Sequence, residues 1–215
     1  MNSAFEPLLP ILFGVLFVSV IGLIIWAGAV QTRKARANLQ AIADRLGLSV
    51  QEPAKKSIFA GSNTRVVGTF RGRPVQLYTY TTGSGKNRTT WCALSLQAGM
   101  PRDFSLKISG ENLFTKAGRM LGIDDVTLGD PAFDEKLYVK TKQPDFVRAA
   151  LIPEVRMRMV DAWKKHRGLG AFTVEGGEVK YAEMGNFANA KVCDRFPDML
   201  EIAVDLAEIA AAWRE

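Results

Sequence analysis

From Pro7 to Thr32 the chain carries no ionisable side chain, and most positions are Leu, Ile, Val, Phe, Ala or Gly. Roughly 20 such residues, rising about 1.5 Å each, cross the hydrocarbon core of a bilayer. The run therefore predicts a transmembrane helix over residues 8–30, preceded by a short tail, residues 1–7. Trp26 stands near its far end, where an amphipathic ring suits the membrane interface. The helical period then continues, with Leu39, Ile42, Ala43 and Leu46 on one face and Gly47 placed to stop the helix. Residues 31–48 are expected to form a basic amphipathic juxtamembrane helix continuous with the span, its apolar stripe buried against the domain that follows.

After Pro53–Lys56, which reads as a short linker, the period becomes strand-like. Val66–Phe70 and Val75–Thr82 are β-rich runs around the turn composition Arg71-Gly72-Arg73-Pro74, Thr89–Gln97 follows the loop Gly83–Arg88, and Phe104–Ser109 turns Phe104, Leu106 and Ile108 inward. Four consecutive strands with short connections predict an antiparallel meander. Helical spacing returns over Asn112–Leu121, and Lys136–Thr141 resembles a strand. Helices are expected from Pro144 and from Pro153 to His166, the second with Ile152, Val155, Met159, Ala162 and Trp163 on one face. Phe172–Val174 and Val179–Tyr181 flank Glu175-Gly176-Gly177-Glu178, a hairpin signal because paired glycines accept positive φ. In the closing helix, Pro197 to Trp213, Met199, Ile202, Leu206, Ile209 and Trp213 form an apolar stripe. Asp198, Glu201, Asp205 and Glu208 form an acidic one, expected to face solvent.

These elements predict an α+β fold: an N-terminal transmembrane helix followed by a soluble, mainly antiparallel β-sheet domain packed with helices, residues 57–215. A pleckstrin-homology-like small barrel is the alternative, since a run of strands closed by a helix permits it.

A composition of 47% hydrophobic and 23% charged residues is that of a folded chain. The net charge of +6 and pI near 9.4 would suit nucleic acid if the excess were spread over the domain. It gathers instead beside the span, where Arg33, Lys34, Arg36, Arg45, Lys55 and Lys56 stand against Asp44 and Glu52. Juxtamembrane cations attract anionic lipid at roughly 1 kcal/mol each. Arg33, Lys34 and Arg36 are therefore the candidate lipid-headgroup contacts, and nucleic acid is not needed to account for the charge. The same three residues orient the span, because cations remain on the cytoplasmic side. The N-terminus is expected outside and the domain in the cytoplasm. A cleaved signal peptide is the competing reading, given Ala27-Gly28-Ala29. Against it, Met1–Glu6 lacks Lys and Arg, and the apolar run exceeds the usual length.

Two cysteines make no disulfide framework. Cys92 alternates with Leu94 and Leu96 and reads as a buried thiol, while a bridge between Cys92 and Cys193 stays open. No metal or cofactor is expected, because these cysteines and the single His166 lack ligand spacing. Gly83-Ser84-Gly85-Lys86 suggests a phosphate loop, but it joins two strands and lacks the remainder of that motif, so a hairpin tip is expected. The acidic run Asp124, Asp125, Asp130, Asp134 and Glu135 is the best enzymatic candidate, with Asp124, Asp130 and Asp134 as the site. Clustered carboxylates can hold a hard cation or exchange protons, and equally cap turns. His166 follows Lys164 and Lys165 near a helix end, with no nucleophile beside it in sequence. Arg71, Arg73, Lys86 and Arg88 on hairpin tips, with Tyr78, Tyr80 and Trp91 between them, would form a nucleic-acid surface only if tips and rings share a face.

Leu46-Gly47-Leu48, Gly68-Thr69-Phe70-Arg71-Gly72-Arg73-Pro74-Val75, Gly129-Asp130-Pro131-Ala132-Phe133-Asp134 with Tyr138-Val139, and Ala149-Ala150-Leu151-Ile152-Pro153 extend over most of the soluble part. With these segments the chain resembles a domain-of-unknown-function family of uncharacterised bacterial single-span membrane proteins. The resemblance implies a bacterial inner-membrane location and carries over no catalytic residue. The expected role is a membrane-anchored binding or scaffold module at the cytoplasmic face of the membrane, with the lipid bilayer and another membrane protein or anionic lipid as partners. A membrane-tethered enzyme using Asp124 to Glu135 is the alternative, although no catalytic motif of a known type favours enzymatic activity.

Overall fold

One unbroken helix, α1 (Leu8–Leu46), contains both the apolar run and the amphipathic segment. The computed structural model describes residues 8–52, 64–99, 103–110, 125–168 and 170–213. The expected linker at Pro53–Lys56, the expected helix at Asn112–Leu121, and Asp124 lie outside the described residues. Along α1 the large side chains from Leu12 to Trp26 are exposed, and the helix is long and apolar enough to cross a membrane. Its hydroxyls are satisfied within the helix: Ser19 donates to the Val15 carbonyl at 2.8 Å and Thr32 to that of Gly28 at 3.0 Å. Hydrocarbon would otherwise penalise the Ser19 hydroxyl.

Further along, Leu39, Ile42 and Ala43 are buried in the domain core, as their spacing predicts. Burying each large apolar side chain stabilises the fold by about 1.5–3 kcal/mol. The helix stops at Gly47, whose φ of +66° suits glycine. The Leu48 amide then donates to the Ala43 carbonyl at 2.8 Å, the closing bond of a Schellman cap.

Nine strands make one antiparallel sheet among the described residues: β1 (Ser49–Gln51), β2 (Arg65–Phe70), β3 (Arg73–Thr82), β4 (Thr89–Gln97), β5 (Leu106–Gly110), β6 (Asp125–Val126), β7 (Leu137–Thr141), β8 (Ala171–Glu175) and β9 (Glu178–Met184). Their order is β1-β2-β3-β4-β9-β8-β5-β7-β6. The meander holds for β2, β3 and β4 and fails at β5. β9 pairs with β4, aligning Val179, Tyr181 and Glu183 with Leu96, Leu94 and Cys92. β5 instead sits between β8 and β7, with Ile108 opposite both Phe172 and Val139, so the inward period of each strand is matched by a distant partner. The β8–β9 turn forms at Gly176 and Gly177, φ 60° and 86°, as the paired glycines predict. No pairing joins the edge strands β1 and β6, so among the described residues the sheet is open and is not the small barrel.

Three helices lie where their periodicity predicts them, α3 (Pro144–Ala150), α4 (Pro153–His166) and α6 (Phe196–Ala212), while two single-turn helices, α2 (Pro131–Asp134) and α5 (Ala190–Cys193), are too short to show a helical period in the sequence. α6 lies against β4, β8 and β9 and buries Met199, Ile202 and Leu206 in the core. α4 packs beside α6 through Val155, Met159 and Ala162. Ile152 does not join that stripe. Pro153 at the first helical position keeps Ile152 extended, at φ −61° and ψ 158°, and leaves it exposed.

Candidate functional site

Where α1 leaves its apolar run, Arg33, Lys34 and Arg36 form an exposed collar. Arg36 pairs with Glu52 at 2.9 Å, while Arg33 and Lys34 make no ion pair with a described residue. A groove of 300 Å³ opens beside this collar. Gln31, Thr32, Ala35 and Leu39 of α1 form one wall, the Thr79–Thr81 and Arg88–Thr90 ends of β3 and β4 a second, and the loop Asn186–Ala188 a third. Its described lining carries threonine hydroxyls, two amides and one guanidinium, and no carboxylate. The α1 wall is joined to the loop by the Phe187 carbonyl, which accepts from the Asn38 side-chain amide at 2.7 Å, and the loop to β4 by the Gly185 amide, which donates to the Thr90 carbonyl at 3.0 Å.

A larger groove, 620 Å³, runs between α4, α6 and the β2–β3 tip. Each of its three cations is paired with a carboxylate. Arg158 pairs with Asp205, Lys165 with Asp198 at 2.6 Å, and Arg71 with Glu201 at 2.6 Å. The His166 Nε2 is also 2.8 Å from Asp198. Burial alone would raise the Asp198 carboxyl, but hydrogen bonds and charge from Lys165 and His166 hold it below its usual range. The Asp205 carboxyl is raised, by burial first and Glu208 second, against Arg158 and Arg71. The acidic stripe expected to face solvent is thus largely an ion-paired seam. Arg158 and Lys165 stand two turns apart on α4, facing Asp205 and Asp198 two turns apart on α6 in the opposite direction. That complementary spacing was present in the sequence.

The acidic run does not converge where it is described. Asp130 accepts from the amides of Ala132 and Phe133 at 3.1 and 3.3 Å and caps α2. Asp134 accepts from the amides of Leu128 and Asp130 at 3.0 and 3.1 Å. Both carboxylates hold a turn together, and Asp130 also lies 3.6 Å from Arg156. Gly83–Lys86 forms the β3–β4 tip, with a 3-10 turn at Gly85–Asn87.

The basic tips and the rings diverge. Arg71 turns to Glu201, and Arg73 donates to the carbonyls of Gln97 and Ala98 at 3.3 and 3.0 Å. Tyr78, Tyr80 and Trp91 occupy the sheet face opposite α6, where Tyr80 and Trp91 stack with centroids 6.3 Å apart. The cations there are Lys180, 4.1 Å from the Tyr80 centroid, and Arg65, 6.0 Å from that of Tyr78. Lys180 escaped the sequence reading because β9 was not expected beside β4.

Cys92 and Cys193 are both buried and free, so they do not bridge. Burial, then the charge of Glu183, raises the Cys92 thiol far above its usual range, and burial and Asp194 push Cys193 up to about 11. Neither is an activated nucleophile. Glu183, opposite Cys92, accepts from the Tyr181 hydroxyl at 2.7 Å and Arg195 at 3.1 Å. Gly170 donates to the same hydroxyl at 2.9 Å.

This fold has a solved counterpart. It is similar to the crystal structure of the mycobacterial trehalose monomycolate transport factor A, TtfA, with a TM-score of 0.50 at 14% identity over 83% of this chain and 93% of that one. No family model matches the sequence, and no curated protein matches it. At this identity TtfA supports the α+β architecture, and its site residues do not transfer.

Proposed function

We propose that the chain is a membrane-anchored binding or scaffold module acting at the cytoplasmic face of a bacterial inner membrane. The observation that carries this reading is the continuity of α1. The helix passes from an exposed apolar stretch directly into the core at Leu39, Ile42 and Ala43, which holds the domain at a fixed height and orientation. A flexible tether would not do this. The Arg33, Lys34 and Arg36 collar supports the cytoplasmic side, and Asp130 and Asp134, occupied with backbone amides, leave the enzymatic alternative without support at those positions. TtfA is named as a transport factor, and by fold analogy alone the partner is sought among membrane transport systems.

Copurification of the full-length chain from membranes in mild detergent, with mass spectrometry of bound protein, tests this beside a control lacking residues 33–215. A stoichiometric membrane protein specific to the intact chain is the expected result. The reading fails if the chain leaves the membrane fraction on carbonate washing, or if no protein exceeds the control.

A further inference from the structure

We infer that the 300 Å³ groove between α1 and the β3–β4 end is a headgroup site for one anionic phospholipid of the adjoining leaflet. This deepens the membrane-anchored reading and rests on it.

Depth is the first argument. Gln31 and Thr32 are the first polar side chains after the apolar run, so this end of the groove falls where hydrocarbon gives way to headgroups. The headgroup zone is about 5–7 Å thick on each side. Leu39, at the other end of the α1 wall, lies roughly 12 Å further along the helix axis at about 1.5 Å per residue. A groove in that position starts among headgroups and extends just beyond them.

Chemistry is the second. A phosphodiester presents acceptor oxygens and one negative charge. Around the groove, Thr81 and Thr90 offer hydroxyls, Asn186 an amide, and Arg88 a guanidinium that makes no ion pair with a described residue. No acidic side chain stands among the described lining to repel the phosphate. Arginine suits this ligand because its planar fork can donate two parallel hydrogen bonds to a phosphate.

Size is the third. The volume lies at the lower end of small-molecule sites, enough for a headgroup and too small for acyl chains as well. The chains have their own place along the exposed apolar side chains of α1, such as Ile24 and Ile25. The groove differs from the collar in this respect: Arg33 and Lys34 attract any anionic surface, whereas walls on three sides select one molecule.

The test uses the full chain, first shown to resist carbonate extraction, then purified in mild detergent and incubated with phosphatidylglycerol or phosphatidylcholine. Native mass spectrometry counts the lipids retained. Wild type is expected to hold one phosphatidylglycerol in preference to phosphatidylcholine. Arg88→Glu, which reverses the charge, is expected to weaken retention about tenfold or more, the loss of one charge-assisted contact, and Ala35→Trp, which fills the groove, should weaken it by steric exclusion of the headgroup. Arg33→Ala/Lys34→Ala, which removes only the unselective attraction of the collar, should weaken retention less than either groove variant. Equal retention of the two lipids by wild type, unchanged retention in both groove variants, or loss confined to the collar variant would overturn the site. If a groove variant fails to fold, the other decides. Loss of lipid with the protein partner still copurifying supports the groove independently of the scaffold role; failure of the carbonate step refutes the anchored reading itself, and the site with it.

Discussion

Asn38 donates from its side chain to the carbonyl of Phe187 at 2.7 Å, joining α1 to the loop that precedes α5. With Leu39, Ile42 and Ala43 buried beside it, this bond makes the last turns of α1 part of the core. Leu39→Ala is expected to destabilise the domain by about 2–4 kcal/mol through the cavity it leaves. Asn38→Ala should cost about 1 kcal/mol, since the Phe187 carbonyl keeps the Cys193 thiol. Urea unfolding of the full chain in detergent, followed by tryptophan fluorescence, measures both. A helix that only tethers the domain would show no loss in either variant.

The seam between α4 and α6 gives a pH dependence with opposite contributions. The folded-state pKa of Asp198 is depressed, so its stabilisation is present above the unfolded value, usually 3.8, and is lost as pH falls through the lower folded value. The folded-state pKa of Asp205 is raised, so its contribution is present below the unfolded value and is lost as pH rises through the folded one. Asp198→Asn should therefore flatten the acid limb of the stability curve, and Asp205→Asn should steepen it. Urea midpoints at about pH 3, 4 and 6 read the slopes. Equal slopes in wild type and both variants would contradict the assignment.

How much of this was legible in the sequence varied with the range of the interaction. The α1 stripe, the α4 and α6 faces and the Gly176-Gly177 turn were visible because each depends on residues within a few positions of one another. The place of β9 was not, because its pairing with β4 joins Leu94 to Tyr181 across most of the domain, and nothing local specifies that register. The error carried into the site: with β9 misplaced, Lys180 could not be put over Tyr80. Asp130 and Asp134 were correctly noticed, but carboxylates that cap a turn and carboxylates that share a site have similar spacing. The amide geometry separates the two. Arg158–Asp205 and Lys165–Asp198 could have been read from complementary spacing had α4 and α6 been known to be neighbours.

Tyr181 and Glu183 form the polar centre of the core. Tyr181→Phe removes the donor to Glu183 and the acceptor of the Gly170 amide together, so a loss of about 1–3 kcal/mol is expected. Arg195→Ala should cost about 3–5 kcal/mol, because it leaves a buried carboxylate without its cation. Denaturant unfolding of both variants checks the order. A larger loss for Tyr181→Phe than for Arg195→Ala would mean that the hydroxyl, and not the charge pair, governs this cluster.

The central claim, an anchored domain on the cytoplasmic face, is tested most directly by fusing reporters to the C-terminus of the full chain in a bacterial host. A green fluorescent protein fusion should fluoresce in the membrane fraction, and an alkaline phosphatase fusion, active only after export, should stay inactive. An active phosphatase fusion with a dark fluorescent one would place the domain on the other side and contradict the account.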